Sequence, residues 1–208
     1  MSNPNMEDDV IAFLSDMADS ISIFIRKISG KETQQKTLAE FEPGAVVKIG
    51  GHEMVVLEQM EGRTALIRKD CLEEESAFGA ENNNYAVSYV DDICEAFADE
   101  IAGTVGGDNI LVHDVVLTAL TRDDSYGVIE RYASLLTLTQ YQRYVDILDQ
   151  HKPDQWWWLA TPNSTKRHEN DRWALCVSPS GYVGCDDINS RGGVRPFCIL
   201  KSDIFVSC

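Results

Sequence analysis

From Pro43-Gly44 onward, the apolar segments of this chain are short and separated by glycine- and proline-containing turns. Val46–Ile49, Glu53–Gln59 and Thr64–Arg68 are rich in β-branched and aliphatic residues, with Gly50-Gly51 and Glu61-Gly62 between them. That spacing predicts an antiparallel meander. Short strands return after Trp156, in the runs WWWLA, RWALCVS, GYVGC, GVRPFCIL and DIFVS, punctuated by Pro179-Ser180-Gly181 and Gly192-Gly193. Two helical patterns lie between these groups. One follows Ser88, with Val90, Ile93, Cys94, Phe97 and Ile101 on a shared face, Asp91 in a capping arrangement with Ser88, and Gly103, Gly106 and Gly107 at its end. The other starts at the capping box Thr137-x-x-Gln140, runs through Leu148 and turns Tyr141, Tyr144, Val145 and Leu148 inward. Ile110–Leu117 is predicted as a strand and 118–133 as a long loop. Strands, then helices, then strands predict an α+β fold with short antiparallel strands and two helices, not an alternating parallel sheet.

The segment before this region differs. Within residues 7–28, Val10, Leu14, Met17, Ile21, Phe24 and Ile28 recur at alternating spacings of four and three, the seam of an amphipathic helix. Such a helix either packs on its own domain or joins copies into a homo-oligomer through residues 10–28. Residues 30–40 are polar and are predicted as a linker. The domains expected are therefore 1–40, a helical arm and linker, and 41–208, the folded domain.

Charge excludes some functions. The chain carries 34 Asp+Glu against 18 Lys+Arg, a formal net charge of −16, so a phosphate-backbone partner is not expected. The excess is concentrated in residues 1–110, with 22 acids and 8 bases. No apolar run approaches the roughly 20 residues of a membrane span. The start, MSNPNMEDDV, lacks the basic and apolar regions of a secretory signal, so synthesis in the cytoplasm without a signal peptide is expected. Cys71, Cys94, Cys176, Cys185, Cys198 and Cys208 form no C-x-x-C pair and His is scarce, so a zinc ribbon or finger is not expected; without a signal peptide mostly reduced thiols are, and no cofactor is expected. There is no G-x-S-x-G, P-loop, H-E-x-x-H or G-x-G-x-x-G, and Glu73-Glu74-Glu75 reads as a solvated charge run; no enzymatic activity is expected.

The C-terminal third carries a longer pattern: Trp157-Trp158-Leu159-Ala160-Thr161-Pro162, then Val177-Ser178-Pro179-Ser180-Gly181, then Gly193-Val194-Arg195-Pro196-Phe197. Upstream, Ile49-Gly50-Gly51-His52-Glu53 leads to Val56-Leu57, and Ser134-Leu135-Leu136-Thr137 precedes Tyr141. Over residues 43–207 this resembles an uncharacterised family of Firmicutes and phage proteins with a W-W-L-[AR]-[ST]-P … G-V-R-P signature. That family in turn resembles C-type-lectin-like domains of the formylglycine-generating-enzyme type, including the variable proteins diversified by retroelements. The resemblance implies a C-type-lectin-like domain preceded by the helix, and non-catalytic ligand binding. The ligand would be a protein or glycan on a host surface or a virion, and the protein itself would be virion-associated. A structural virion protein using the N-terminal helix and a formylglycine-generating-type enzyme are the alternatives.

The residues expected to contact a ligand fall in two polar segments that follow apolar strands. The first, 163–173, contains Asn163, Lys166, Arg167, His168, Asn170 and Trp173. The second, 185–191, contains Asp186, Asp187, Asn189 and Arg191. Rigid strands carrying polar loops are a common way to build a binding surface, and equally an ordinary protein surface. Tyr182 and Trp156 join the set as exposed aromatics, Trp157 and Trp158 being expected in the core. Asp186, Asp187 and Asn189 have oxygen ligands suited to Ca²⁺, but their spacing completes no calcium loop, and no metal site is expected. Arg195, in an apolar run, needs a partner; backbone carbonyls or a carboxylate of Asp186, Asp187 or Asp203 would serve, with anion binding as the other use.

Overall fold

The computed structural model describes residues 36–207, so the helix predicted at 7–28 and its seam lie outside the described residues, as does Cys208. The first strand, β1 (Lys36–Thr37), falls where a linker was expected. Its neighbour Leu38 is fully buried, and a one-turn helix, Leu38–Glu40, follows it. Strands β2 (Val46–Ile49), β3 (His52–Met60) and β4 (Arg63–Arg68) form the predicted meander, each turn closed by glycines at positive φ. After β5 (Ser76–Ala77) comes helix α1 (Tyr89–Val105). The Ser88 hydroxyl accepts the Asp91 amide at its start, and Gly106, at φ 89°, ends it.

The strand predicted over 110–117 is interrupted at Val112, giving β6 (Ile110–Leu111) and β7 (His113–Val116). The predicted loop 118–133 is not all loop: it contains β8 (Val128–Arg131), paired with β7, and is followed by β9 (Ala133–Ser134). Hydropathy missed β8 because half of its residues are charged: Glu130 is exposed, and Arg131 is half-buried against the Asp91 carboxylate at 2.7 Å. The Thr137–Gln140 capping box forms in both directions, with the Thr137 amide 2.8 Å from Gln140 Oε1. The helix it starts is broken at Tyr144 into α2 (Leu138–Arg143) and α3 (Val145–Leu148). Then come β10 (Trp157–Pro162), β11 (Trp173–Val177), β12 (Val183–Asp187), β13 (Arg191–Gly192), β14 (Phe197–Lys201) and β15 (Phe205–Val206).

The result is a mixed helix and sheet fold; among the described residues the named strands pair antiparallel, with one isolated parallel bridge between Trp157 and Gly193. The main sheet runs β2-β3-β4-β14-β6, and β9 shares the outer edge of β14 with β6. A second sheet is β10-β11-β12, while β1–β15, β5–β13 and β7–β8 form ribbons. Alternation along β3 and β4 divides the core. Met54, Val56 and Leu66 face Phe97 and Ile101 of α1. Val55, Leu57, Ala65 and Ile67 face Tyr141, Tyr144, Trp157 and Leu175. A third cluster gathers Phe78, Tyr85, Val115, Trp158 and Val194. Among the described residues, no helix is long and apolar enough to cross a membrane.

The two halves of the sequence signature lie side by side. Trp158 N–H donates to the Gly193 carbonyl at 3.1 Å, and Gly193 N–H donates to that of Trp156 at 2.9 Å. Two glycines permit this approach. A Cβ on Gly192 would sit 2.3 Å from the Trp156 ring, and one on Gly193 would sit 2.6 Å from Cys71 Sγ. Regular strand geometry resumes only at Phe197, after Pro196, which has no N–H to donate. Arg195, 1% exposed, meets none of the carboxylates considered above. Its Nε donates to the Arg68 carbonyl at 2.8 Å, and its Nη2 to those of Lys69 and His151 at 2.9 Å each. The guanidinium lies 5.2 Å from the centre of the Trp157 ring. Burial lowers its pKa to about 10, which leaves it charged at neutral pH.

Two predictions follow from this interior. Arg195→Met leaves three carbonyls without their donor and should lower the unfolding free energy by about 3 kcal/mol or more. Arg195→Lys should recover little of it, because an ammonium lacks the fork. Denaturant unfolding measures both, and an unchanged midpoint for the Met variant contradicts the assigned role. His113 supplies the second. Its ring packs edge-on to Phe197 at 5.0 Å, bonds Ser134 Oγ through Nε2 at 2.9 Å, and is pushed down by burial to a pKa of about 4. The folded pKa is below the unfolded value of about 6.5, so the stabilisation is complete above pH 6.5 and is lost as pH falls towards 4. Between those limits the native chain should lose up to about 3 kcal/mol more stability than His113→Gln. Parallel losses in both proteins would refute this.

Candidate functional site

Nine of the twelve expected contact residues sit on the second sheet and the loops at one end of it. In the β11–β12 ladder, Trp173 is opposite Asp187 and Ala174 opposite Asp186. Asn163 reaches the same end, since its N–H donates to the Trp173 carbonyl at 2.9 Å. The loop tip is a single 3₁₀ turn, Lys166–His168, closed by Glu169 at φ 56°. Lys166, Arg167 and His168 are exposed, and Asn170 is half-buried behind them.

On the neighbouring loop the carboxylates are occupied in shaping the turn. Asp187 Oδ1 accepts from the Asn189 amide at 3.0 Å, from Asn189 Nδ2 at 2.8 Å and from Arg172 Nη2 at 3.4 Å. The Asn189 amide, followed by Arg172, holds the Asp187 carboxyl below its ordinary range. Asp186 Oδ1 accepts from the Ser190 hydroxyl and the Asp187 amide, each at 2.8 Å. Among the described residues no group of three or more His, Cys, Asp and Glu side chains is arranged to hold a metal ion.

Three expected residues stand apart from this cluster. Tyr182 is 73% exposed, but it precedes β12 and so lies at the opposite end of that strand from Asp187, roughly 16 Å away. Arg191 pairs with β5 and donates to the Glu75 carbonyl, so its head group is engaged by backbone. Trp156 is the least buried of its triplet. Even so, its ring packs edge-on against Trp158 at 4.8 Å and covers Gly192.

Sequence reasoning missed the residues that hold the cluster in place. Asn83 is fully buried. Its Nδ2 donates to the carbonyls of Ser164, at 2.8 Å, and Trp173, at 2.6 Å, while its Oδ1 accepts the Tyr126 hydroxyl at 3.0 Å. Asp123, also buried, accepts the Thr165 hydroxyl at 2.5 Å and lies 3.7 Å from His168 Nε2. That hydroxyl and the Ser125 amide hold the Asp123 carboxyl below its ordinary range. The only local signal was the Asn82-Asn83-Asn84 run, which read as a polar turn because its partners are some 80 to 90 residues away.

Four of the described cysteines are held as thiols by burial. Cys71, Cys94, Cys176, Cys185 and Cys198 are free, and burial raises the thiols of Cys71, Cys94, Cys176 and Cys198, the last two to about 11 and about 12. These four are protonated at neutral pH. The surface therefore offers exposed hydrogen-bonding and charged groups of both signs, beside a Trp173 ring that is 40% exposed, on a base fixed by buried side chains. Comparison with protein-family models, curated proteins and solved structures gives no match.

Replacing Asn83 by Ala removes the clamp on two loop carbonyls. Amide exchange over residues 163–173 should rise by at least roughly tenfold, with β3 and β4 unaffected. Unchanged exchange at the loop would show that Asn83 does not restrain it.

Proposed function

We propose that this chain is a non-catalytic ligand-binding protein with a C-type-lectin-like domain, contacting its ligand through the loops 163–173 and 185–191. The observation that carries the reading is the Asn83 clamp. A fully buried amide binds the carbonyls at both ends of the first loop, so the Lys166–Asn170 tip is presented from a fixed base. Preorganisation of this kind reduces the ordering cost of binding. The pairing of β1 with β15 brings the two ends of the domain together, and the W-W-L and G-V-R-P segments lie in contact; both support the C-type-lectin-like assignment. The resemblance of the signature supports a phage or prophage product that recognises a host surface or a virion partner.

The test uses the full-length chain on a glycan array and on intact Firmicutes cells. Binding should appear on at least one. The triple change Lys166→Ala, His168→Ala, Asn170→Ala should weaken it at least roughly tenfold while the melting temperature stays within about 2 °C. Binding that survives the triple change, or no binding to either surface, overturns the reading.

A further inference from the structure

We infer a second binding site, at the rim of the main sheet, for a carboxylate-bearing hydroxylated ligand of the acidic-sugar class. It shares no residue with the loop surface and does not depend on it. Arg63 begins β4 and Lys201 ends β14, and the two are directly opposed in the ladder. Like charges in register repel, because their Cβ atoms are about 5 Å apart. In a chain with 34 acids, each could have been given a counterion. Neither has one within 4 Å among the described residues.

Both cations line a cleft of about 710 Å³. Its walls are tied together by backbone. Ala39 N–H donates to the Ser202 carbonyl at 2.8 Å, and Ser202 N–H donates to that of Gly62 at 3.1 Å. Gln59 Nε2 spends its hydrogens on the carbonyls of Leu38 and Phe41, at 2.9 and 2.8 Å. Met60 and Leu111 supply apolar surface, and Asp203 is the one acid in the lining.

This composition selects a ligand class. An arginine fork beside a lysine suits one carboxylate. Two cations against Asp203 leave a net charge of +1, which matches a monoanion, and the Asp203 carboxylate repels a phosphate dianion. Asp203 instead accepts from hydroxyl groups, and the C–H face of a sugar ring packs on Met60 and Leu111. Mixed apolar and polar lining of this kind is typical of small-ligand sites.

The test is a titration of the full-length chain, followed through its amide resonances, with glucuronate, glucose, acetate and inorganic phosphate in turn. Glucuronate should shift Gly62, Arg63 and Ser202 saturably, and more tightly than the other three. Arg63→Gln and Lys201→Gln, both at the sheet rim, should each weaken it at least roughly tenfold, with folding checked by the unperturbed core resonances. The Lys166, His168, Asn170 triple variant should bind glucuronate unchanged, which separates this site from the loop surface. Equal binding of glucose or acetate, tighter binding of phosphate, no saturable shift with glucuronate, or indifference to both rim substitutions each overturns the inference.

Discussion

A charged guanidinium sits in the interior beside Trp157, and three separate parts of the chain are organised around it. Arg195 binds the carbonyls at the end of β4 and the carbonyl of His151, so it joins the main sheet to the segment leading into the second one. Burying a charge is costly unless its donors are satisfied. Here carbonyls serve in place of a carboxylate. They are neutral, their positions are set by the backbone, and the planar fork can reach several at once. The ring of Trp157 covers the remaining face, where a cation is attracted to the π-system. These demands explain why the W-W-L and G-V-R-P segments belong together: one supplies the ring and the other the cation.

The loop surface follows from that arrangement. Trp157 and Trp158 point to opposite sides of β10, into different core clusters, so the strand is held from both faces. Trp158 also donates to the Ser76 carbonyl at 3.0 Å, which fixes β5 and, through it, β13. The loops leaving β10 and entering β11 thus start from positions set by the core. Asn83 and Asp123 then finish the job with hydrogen bonds. Of the exposed residues at the tip, His168 alone reaches this base, 3.7 Å from Asp123.

The strands around Gly50-Gly51 and Glu61-Gly62, the helix after Ser88 and the Thr137 capping box were legible in the sequence, because local periodicity and turn chemistry determine them. What was not legible depended on distant partners. β8 was hidden because the half-buried Arg131 is paired with Asp91, 40 positions earlier. The stretch 36–40 read as a linker because its strand partner lies at 205–206. The clustering of Trp173 with Asp187 was implied by the proximity of two polar segments, whereas the displacement of Tyr182 to the far end of the hairpin came from strand register. Asn83 was invisible for the same reason as β8: a buried amide looks like a surface amide until its acceptors are placed.

The pairing of β1 with β15 also bears on the order in which the molecule forms. Those two strands are separated by almost the whole described chain; among the described residues they pair over Lys36–Thr37 and Phe205–Val206, and the adjoining Leu38 and Ala39 amides donate to the Ile204 and Ser202 carbonyls at 2.9 and 2.8 Å. A contact of such long sequence separation is entropically expensive to close. The ribbon is therefore expected to close late in folding. Leu38 and Ala39 follow β1 directly, so transient release of the ribbon would loosen the cleft wall at the sheet rim before it reached the layers held by Arg195.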